Sequence, residues 1–178
     1  MKTYIALFRS INVGGKNSLK MKDLISYLKN FGLHNIKTYI QSGNVVFSSF
    51  EEISPTLSQE ISAIILEKHG FSPHVLILTV NQFEKIISKN PFLNEQDQKN
   101  HIYFLFEKPD VSKLFELDKI KKESEQFLLC DNAFYLYAPD GIGRSKLATN
   151  VTKLLGVSAT ARNWRTICKI SDIIENTH

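Results

Sequence analysis

The chain has 178 residues, 43% of them hydrophobic, enough for one generous domain or two small ones with a real core. No apolar stretch approaches the roughly 20 residues that cross a bilayer, and Arg9 cuts the run from Tyr4 to Phe8 before it could serve as a secretory signal, so a cytoplasmic protein with no membrane partner is expected. The net charge of +4 hides an uneven placement: six bases stand against Asp23 alone between Arg9 and Lys37, and six more with no acid between Gly141 and Ser171. Such segments either solvate outer helix faces or form an anion-facing side if the fold unites them.

In chain order, residues 3–9 read as a first strand. Met21, Leu24, Ile25 and Leu28 recur at i, i+3, i+4 and i+7, the stripe of a helix with one buried face, and Gly32 supplies its stop. The stretch "IKTYIQSGNVVFSS" holds two apolar runs around Ser42, Gly43 and Asn44, where the glycine offers the positive φ of a tight hairpin. Ser54 reads as a helix cap with Pro55 at the first helical position; Leu57, Ile61, Ile64, Ile65 and Lys68 mark the inner edge and Gly70 the end. The strand "HVLILTV", residues 74–80, closes a βαββαβ unit. That is the order of the ferredoxin-like plait, whose antiparallel sheet carries both helices on one face and leaves the other to be covered or used.

A connecting helix from Gln82 to Ser88 and a break at Asn90 and Pro91 precede a second series. It comprises "HIYFLFEKP", a charged helix from Lys113 to Lys122, "QFLLC", the turn Asp131-Asn132 and "AFYLYAP". A helix containing Val151, Leu154 and Leu155 follows, then another from Asn163 to Ile174. The expected fold class is α+β: two tandem ferredoxin-like (α/β plait) subdomains with antiparallel sheets. Residues 1–90 hold the first plait and the connecting helix, and residues 91–178 an altered plait with an extra C-terminal helix. No low-complexity linker separates the halves and no sequence repeat unites them.

Four stretches carry candidate binding chemistry. "SINVGGKN", residues 10–17, places Gly15 and Lys16 as a P-loop would, yet Ser10 stands for the first glycine, Asn17 for the magnesium-holding hydroxyl, and "HVLILTV" is followed by Asn81 rather than an aspartate. A P-loop also sits in a parallel sheet, whereas the hairpin points to an antiparallel one. What survives is a Gly14-Gly15 turn whose backbone N–H groups, helix start and Lys16 favour an anion, with Arg9, Asn12 and Asn17 beside it. The plainer alternative is a tight turn with Asn17 or Ser18 as cap. "QSGNVVF" fails the RNA-recognition strand signature at Asn44 and Val45, but Gln41, Ser42 and Asn44 are suited to hydrogen-bonding a ligand. "PDGIGRSKL" repeats the glycine-loop logic: Arg144 is a bidentate fork, Ser145 a cap or hydroxyl ligand, and Lys146 a point charge. "ATARNWRTICK" supplies Arg162, Asn163, the single Trp164, Arg165 and Lys169; its bases share a face if a helix reaches back to Arg162, and Trp164 stacks a base or fills a core.

Catalytic constellations are hard to find in the pattern, and metal-free acid or base chemistry by residues distant in sequence stays open. His34, His69, His74, His101 and His178 show no metal-ligand spacing, no G-x-S-x-G elbow occurs, and no metal or cofactor is expected. Cys130 and Cys168 are isolated and fit buried thiols of a reducing compartment, a bridge between them being the alternative.

Together "LFRSINVGGKN", "TYIQSGNVVF", "GIGRSKL" and "ATARNWRTICK" strongly resemble the bacterial family catalogued as domain of unknown function 1697, from Tyr4 to about Ile170. The resemblance implies two tandem ferredoxin-like plaits and carries no established activity. The family pattern has glycine where this chain has Ser10. The residues point first to an anion-binding protein that recognises phosphate groups of a nucleotide or nucleic acid through a composite basic site of SINVGGKN, GIGRSK and ARNW. One alternative is a metal-independent enzyme acting on a phosphorylated small molecule, which a small pocket rather than an open groove would favour. The other is a structural module whose open sheet face a second copy covers; the oligomeric state is not set by the sequence.

Overall fold

The structure, a computed structural model, describes residues 1–93 and 98–177. It forms two compact units, Met1–Lys85 with the residues from Lys169 onward, and Ile86–Cys168. The division falls inside the connecting helix rather than at residue 90, and the C-terminal residues belong to the first unit instead of completing the second.

In the first unit β1 (Lys2–Phe8), β2 (His34–Tyr39), β3 (Asn44–Ser49) and β4 (Val75–Thr79) form an antiparallel sheet in the order β2-β3-β1-β4. The crossovers hold α1 (Met21–Asn30) and α2 (Leu57–His69). Alternation along β1 sends Tyr4, Ala6 and Phe8 into a core with Val45 and Phe47 of β3, Leu24 and Leu28 of α1, and Ile61 and Ile65 of α2. Each fully buried Leu or Ile there contributes about 1.5–3 kcal/mol. Ser54 and Pro55 do not open α2: Ser54 Oγ accepts the Thr56 N–H at 3.2 Å in a turn, and Thr56 is the N-cap residue. Gly70 closes the helix at φ 76°.

The second unit is a complete plait, not an altered one. Its strands β5 (Asn100–Leu105), β6 (Gln126–Cys130), β7 (Ala133–Tyr137) and β8 (Ala159–Asn163) pair antiparallel in the order β6-β7-β5-β8. Helix α3 (Val80–Ser88) leads in from the first unit, and α4 (Leu114–Ile120) and α5 (Lys146–Leu155) fill the crossovers. Strand β8 escaped the sequence reading because "ATARN" lacks the aromatic and β-branched run of a strand. It pairs along β5 from Leu105↔Ala159 to His101↔Asn163, so tertiary pairing overrides weak propensity. Helix α6 (Trp164–Glu175) then starts one residue later than expected. Leu117 of α4 and Leu147, Val151 and Leu155 of α5 pack on Tyr103, Leu105, Phe134 and Leu136.

The central strands of both sheets are buried on their second face as well, at Ile5, Leu7 and Val46 in the first and Ile102, Phe104 and Tyr135 in the second. Tyr135 OH donates to the Ile86 carbonyl of α3 at 2.7 Å. Cys130 and Cys168 are free thiols, half-buried. Among the described residues no helix is long and apolar enough to cross a membrane, and no group of three or more His, Cys, Asp or Glu side chains could hold a metal; His178 lies outside the described residues.

Candidate anion site

Leu7 of β1 pairs with Asn44, and Phe8 with Val75. The β1–α1 loop, the β2–β3 turn and the α2–β4 loop therefore leave the same end of the first sheet. Residues 9–20, 40–43 and 70–74 of these connections carry Arg9, Lys16, Lys20 and His74 and no carboxylate.

The loop "SINVGGKN" folds as a miniature hairpin. Gly14 (φ 58°) and Gly15 (φ 74°) both take the left-handed conformation that a two-residue type I′ turn demands. Lys16 N–H donates to the Val13 carbonyl and Asn12 N–H to the Asn17 carbonyl, each at 3.0 Å. These donors are thus committed within the loop, and α1 begins only at Met21, after an N-cap residue, Lys20, that makes no side-chain cap bond. The picture of N–H groups converging at a helix start is corrected accordingly, and neither Asn17 nor Ser18 is the cap. Lys16 projects from the exposed part of the loop.

Asn12 is a brace. Its Nδ2 donates to the Leu19 carbonyl at 2.8 Å and the Gln41 carbonyl at 2.7 Å, and its Oδ1 accepts the Leu19 N–H at 2.8 Å. Both amide hydrogens and the acceptor are engaged, so Asn12 ties the loop to the β2–β3 turn and positions other groups. Asn44 is buried, and its Nδ2 donates to the Tyr39 carbonyl and to Ser42 Oγ, each at 3.1 Å. Asn44 and Ser42 therefore pin the hairpin from within, while Gln41 stays exposed.

Between the foot of the miniature hairpin and the α2–β4 loop lies a cleft of about 240 Å³, lined by Arg9, Ser10, Asn17, Ser72, Pro73 and His74. Arg9 N–H donates to the His74 carbonyl at 2.9 Å, carrying the β1–β4 pairing one residue further and setting two basic side chains on adjacent chains. Asn17 Nδ2 donates to the Ser10 carbonyl at 2.8 Å and closes the foot. Ser10 (φ 63°), Asn12 (φ 53°) and Asn17 (φ 54°) are all left-handed. That conformation costs an L residue about 1–2 kcal/mol, least for asparagine, and strain of this kind concentrates at ligand sites. The sequence reading found Arg9 and Asn17 but passed over Ser72 and His74. The signal was the plait itself: with β1 and β4 as antiparallel neighbours, the residue after β1 meets the residue before β4.

In the second unit the β7–α5 loop and the β8–α6 junction leave the sheet at the end where β5 begins, because Tyr137 pairs with Asn100 and Asn163 with His101. Ser145 is the N-cap of α5, buried, with Oγ accepting the Ala148 N–H at 2.9 Å. Arg144 and Lys146 on either side are exposed. The same loop carries Asp140, ion-paired to Lys122 at 3.0 Å; that hydrogen bond and the charges of Lys122 and Lys99 hold its carboxyl below the usual range. Asn163 Oδ1 accepts the Thr166 N–H at 2.9 Å and caps α6, and Trp164 is half-buried. Arg162 does not share a helix face with Arg165 and Lys169. It lies in β8, buried, with Nη1 donating to Thr160 Oγ1 at 2.7 Å and the Ala161 carbonyl at 2.9 Å, and burial pushes its guanidinium down to about 10. Lys169 pairs with Asp172 at 2.8 Å.

A second cleft of the first unit, about 510 Å³, is lined by Lys29, Asn35, Ile36, Lys37, Asn176 and Thr177. Lys37 Nζ donates to the Asn176 carbonyl at 3.0 Å just past the end of α6. Helix C-termini there repel anions, and the lysine serves as their counter-charge.

Among solved structures the chain is similar to the conserved bacterial protein SP0830 from Streptococcus pneumoniae, at 22% identity and a TM-score of 0.71, covering 97% of this chain and 98% of that one. This likeness concerns the fold. No curated protein matches the chain. The model of the family described as protein of unknown function (DUF1697) matches residues 1–135, including the miniature hairpin, the β2–β3 turn and both loops of the cleft. The chain belongs to the DUF1697 family.

Proposed function

We propose that the protein is a cytoplasmic anion-binding protein that recognises a phosphate group in the Arg9–His74 cleft of its first unit. The observation that supports this reading is the lining itself: Arg9 and His74 on paired chains, with the hydroxyls of Ser10 and Ser72 and the Asn17 amide, and no acid among the described residues that line it. A guanidinium fork matches two phosphate oxygens, and hydroxyl donors serve the third. The basic loop of the second unit is the weaker seat, since it carries Asp140. Two free cysteines accord with a reducing compartment.

Thermal unfolding in low-salt buffer with rising inorganic phosphate tests the proposal. A ligand that binds only the native state adds about 2.7 kcal/mol at 100 times its Kd, so Tm rises with concentration, and Arg9→Ala removes the rise. A Tm that ignores phosphate, or that rises equally in Arg9→Ala, refutes it. A second reading, a metal-independent enzyme acting on a phosphorylated small molecule at this cleft, draws support from the cleft's small size. Phosphorus NMR of candidate phosphomonoesters incubated with the protein, showing a new resonance that Arg9→Ala abolishes, would establish it.

A further inference from the structure

The size and lining of the cleft narrow the ligand class. This step rests on the anion reading above and asks which phosphate the site takes. A cleft of about 240 Å³ falls below the roughly 300–1,000 Å³ of pockets that enclose drug-sized ligands. It has room for a terminal phosphate and a few attached heavy atoms rather than for a sugar and base as well. Its lining holds one guanidinium, one imidazole, two serine hydroxyls, one amide and one proline, and no Phe, Tyr or Trp. Proteins that bind single strands combine a basic groove with aromatic platforms on which successive bases stack. The described lining of this cleft carries no such platform. The sheet surface that such modules use for stacking is buried here, at Ile5, Leu7 and Val46.

Asn17 Nδ2 donates to the Ser10 carbonyl at 2.8 Å, and the Arg9 N–H donates to the His74 carbonyl at 2.9 Å between the two loops. A monoester offers three terminal oxygens and up to two negative charges to Arg9 and His74, where a diester offers two oxygens and one charge.

We infer that the Arg9–His74 cleft is a terminal-phosphate site for small, polar phosphomonoesters, and that nucleic acid is not its ligand. The test is a calorimetric series on the intact protein at physiological salt with inorganic phosphate, glycerol 3-phosphate, adenosine 5′-monophosphate and oligouridylate without terminal phosphates, repeated on Arg9→Ala and on Ser72→Asp. Ser72 is exposed on its loop, so the aspartate adds a negative charge to the cleft while leaving the core untouched, which keeps the test valid if Arg9→Ala folds poorly. The expected result is that glycerol 3-phosphate binds at least as tightly as the mononucleotide, that the oligonucleotide binds more than about tenfold more weakly, and that each variant weakens the small ligands by about tenfold or more. Oligonucleotide binding that is tightest, and is lost in both variants, overturns the ligand class while leaving the anion site standing. Binding of every ligand unchanged in both variants overturns the site itself.

Discussion

Phe8 and Gly43 meet where the β2–β3 turn closes onto the end of β1: the Phe8 N–H donates to the Gly43 carbonyl at 2.9 Å, and a Cβ on Gly43 would stand 2.5 Å from Phe8 Cβ and 2.6 Å from Ile11 Cδ1. Gly43 also has φ 72°. Two costs therefore coincide in Gly43→Ala, left-handed strain and overlap with Phe8 Cβ, which no rotamer change can move, while the Ile11 methyl could turn aside. The substitution is expected to destabilise by about 3 kcal/mol, lowering Tm by roughly 6–12 °C. Chemical denaturation reads it directly, and a loss within experimental error of zero would show that the turn has room that this packing denies.

The same end of the sheet depends on Asn12. Asn12→Ala leaves the Leu19 N–H and two carbonyls without their partner, at a cost of about 2 kcal/mol. Asn12→Asp keeps the acceptor for Leu19 but turns an oxygen toward the carbonyls of Leu19 and Gln41, so it should be at least as destabilising. Hydrogen exchange should show faster exchange at residues 10–19 in both variants, with β5 to β8 unchanged. An Asn12→Asp protein as stable as the parent would contradict the brace.

Ser10 offers a change of opposite sign. Its φ of 63° suits glycine. Ser10→Gly relieves left-handed strain but adds freedom to the unfolded chain, for a net gain of about 0.5 kcal/mol. The cleft loses one hydroxyl, so phosphate affinity should fall by about two- to fivefold. Denaturation midpoints and phosphate titrations on one preparation would separate the two effects, and a destabilised Ser10→Gly protein would contradict the strain argument.

Alkaline pH should expose the cores of the second unit. Burial raises the Tyr103 phenol well above its ordinary value, with a smaller push from Glu125, and burial raises Tyr135 likewise, with Cys130 and Asp131 adding to it. The native protein then keeps two protons that the unfolded chain releases near pH 10. The stability tied to these groups is whole below about pH 10 and is lost as pH rises from there toward the higher folded-state values. Phenolate absorbance and circular dichroism followed in one titration should show part of the six-tyrosine signal appearing only with unfolding. Full ionisation near pH 10 with native dichroism would contradict the prediction.

The first plait was legible because each of its elements carries its own local signal. The stripe at Met21, Leu24 and Leu28, the hairpin glycine at Gly43 and the stop at Gly70 all act where the reading placed them. What was not legible depends on partners distant in sequence. "ATARN" becomes β8 only because β5 presents an edge to it, and Arg162, indistinguishable in the sequence from an exposed base, lies in that strand and is buried. Ser54 and Pro55 imitate a helix start that the chain spends on a turn. At the candidate site Arg9 and Asn17 stood in a visible motif, whereas Ser72 and His74 join them only through the antiparallel neighbourhood of β1 and β4.

The central claim is that an anion sits between the β1–α1 and α2–β4 loops. The most direct measurement is the change in backbone amide resonances of the isotope-labelled protein on titration with inorganic phosphate. The account predicts saturable shifts concentrated at Arg9 to Asn17 and at Ser72, His74 and Val75, with the β7–α5 loop from Gly141 to Lys146 moving less. Shifts largest at Gly141 to Lys146 or at Lys29 and Lys37, or none at saturating phosphate, would contradict it.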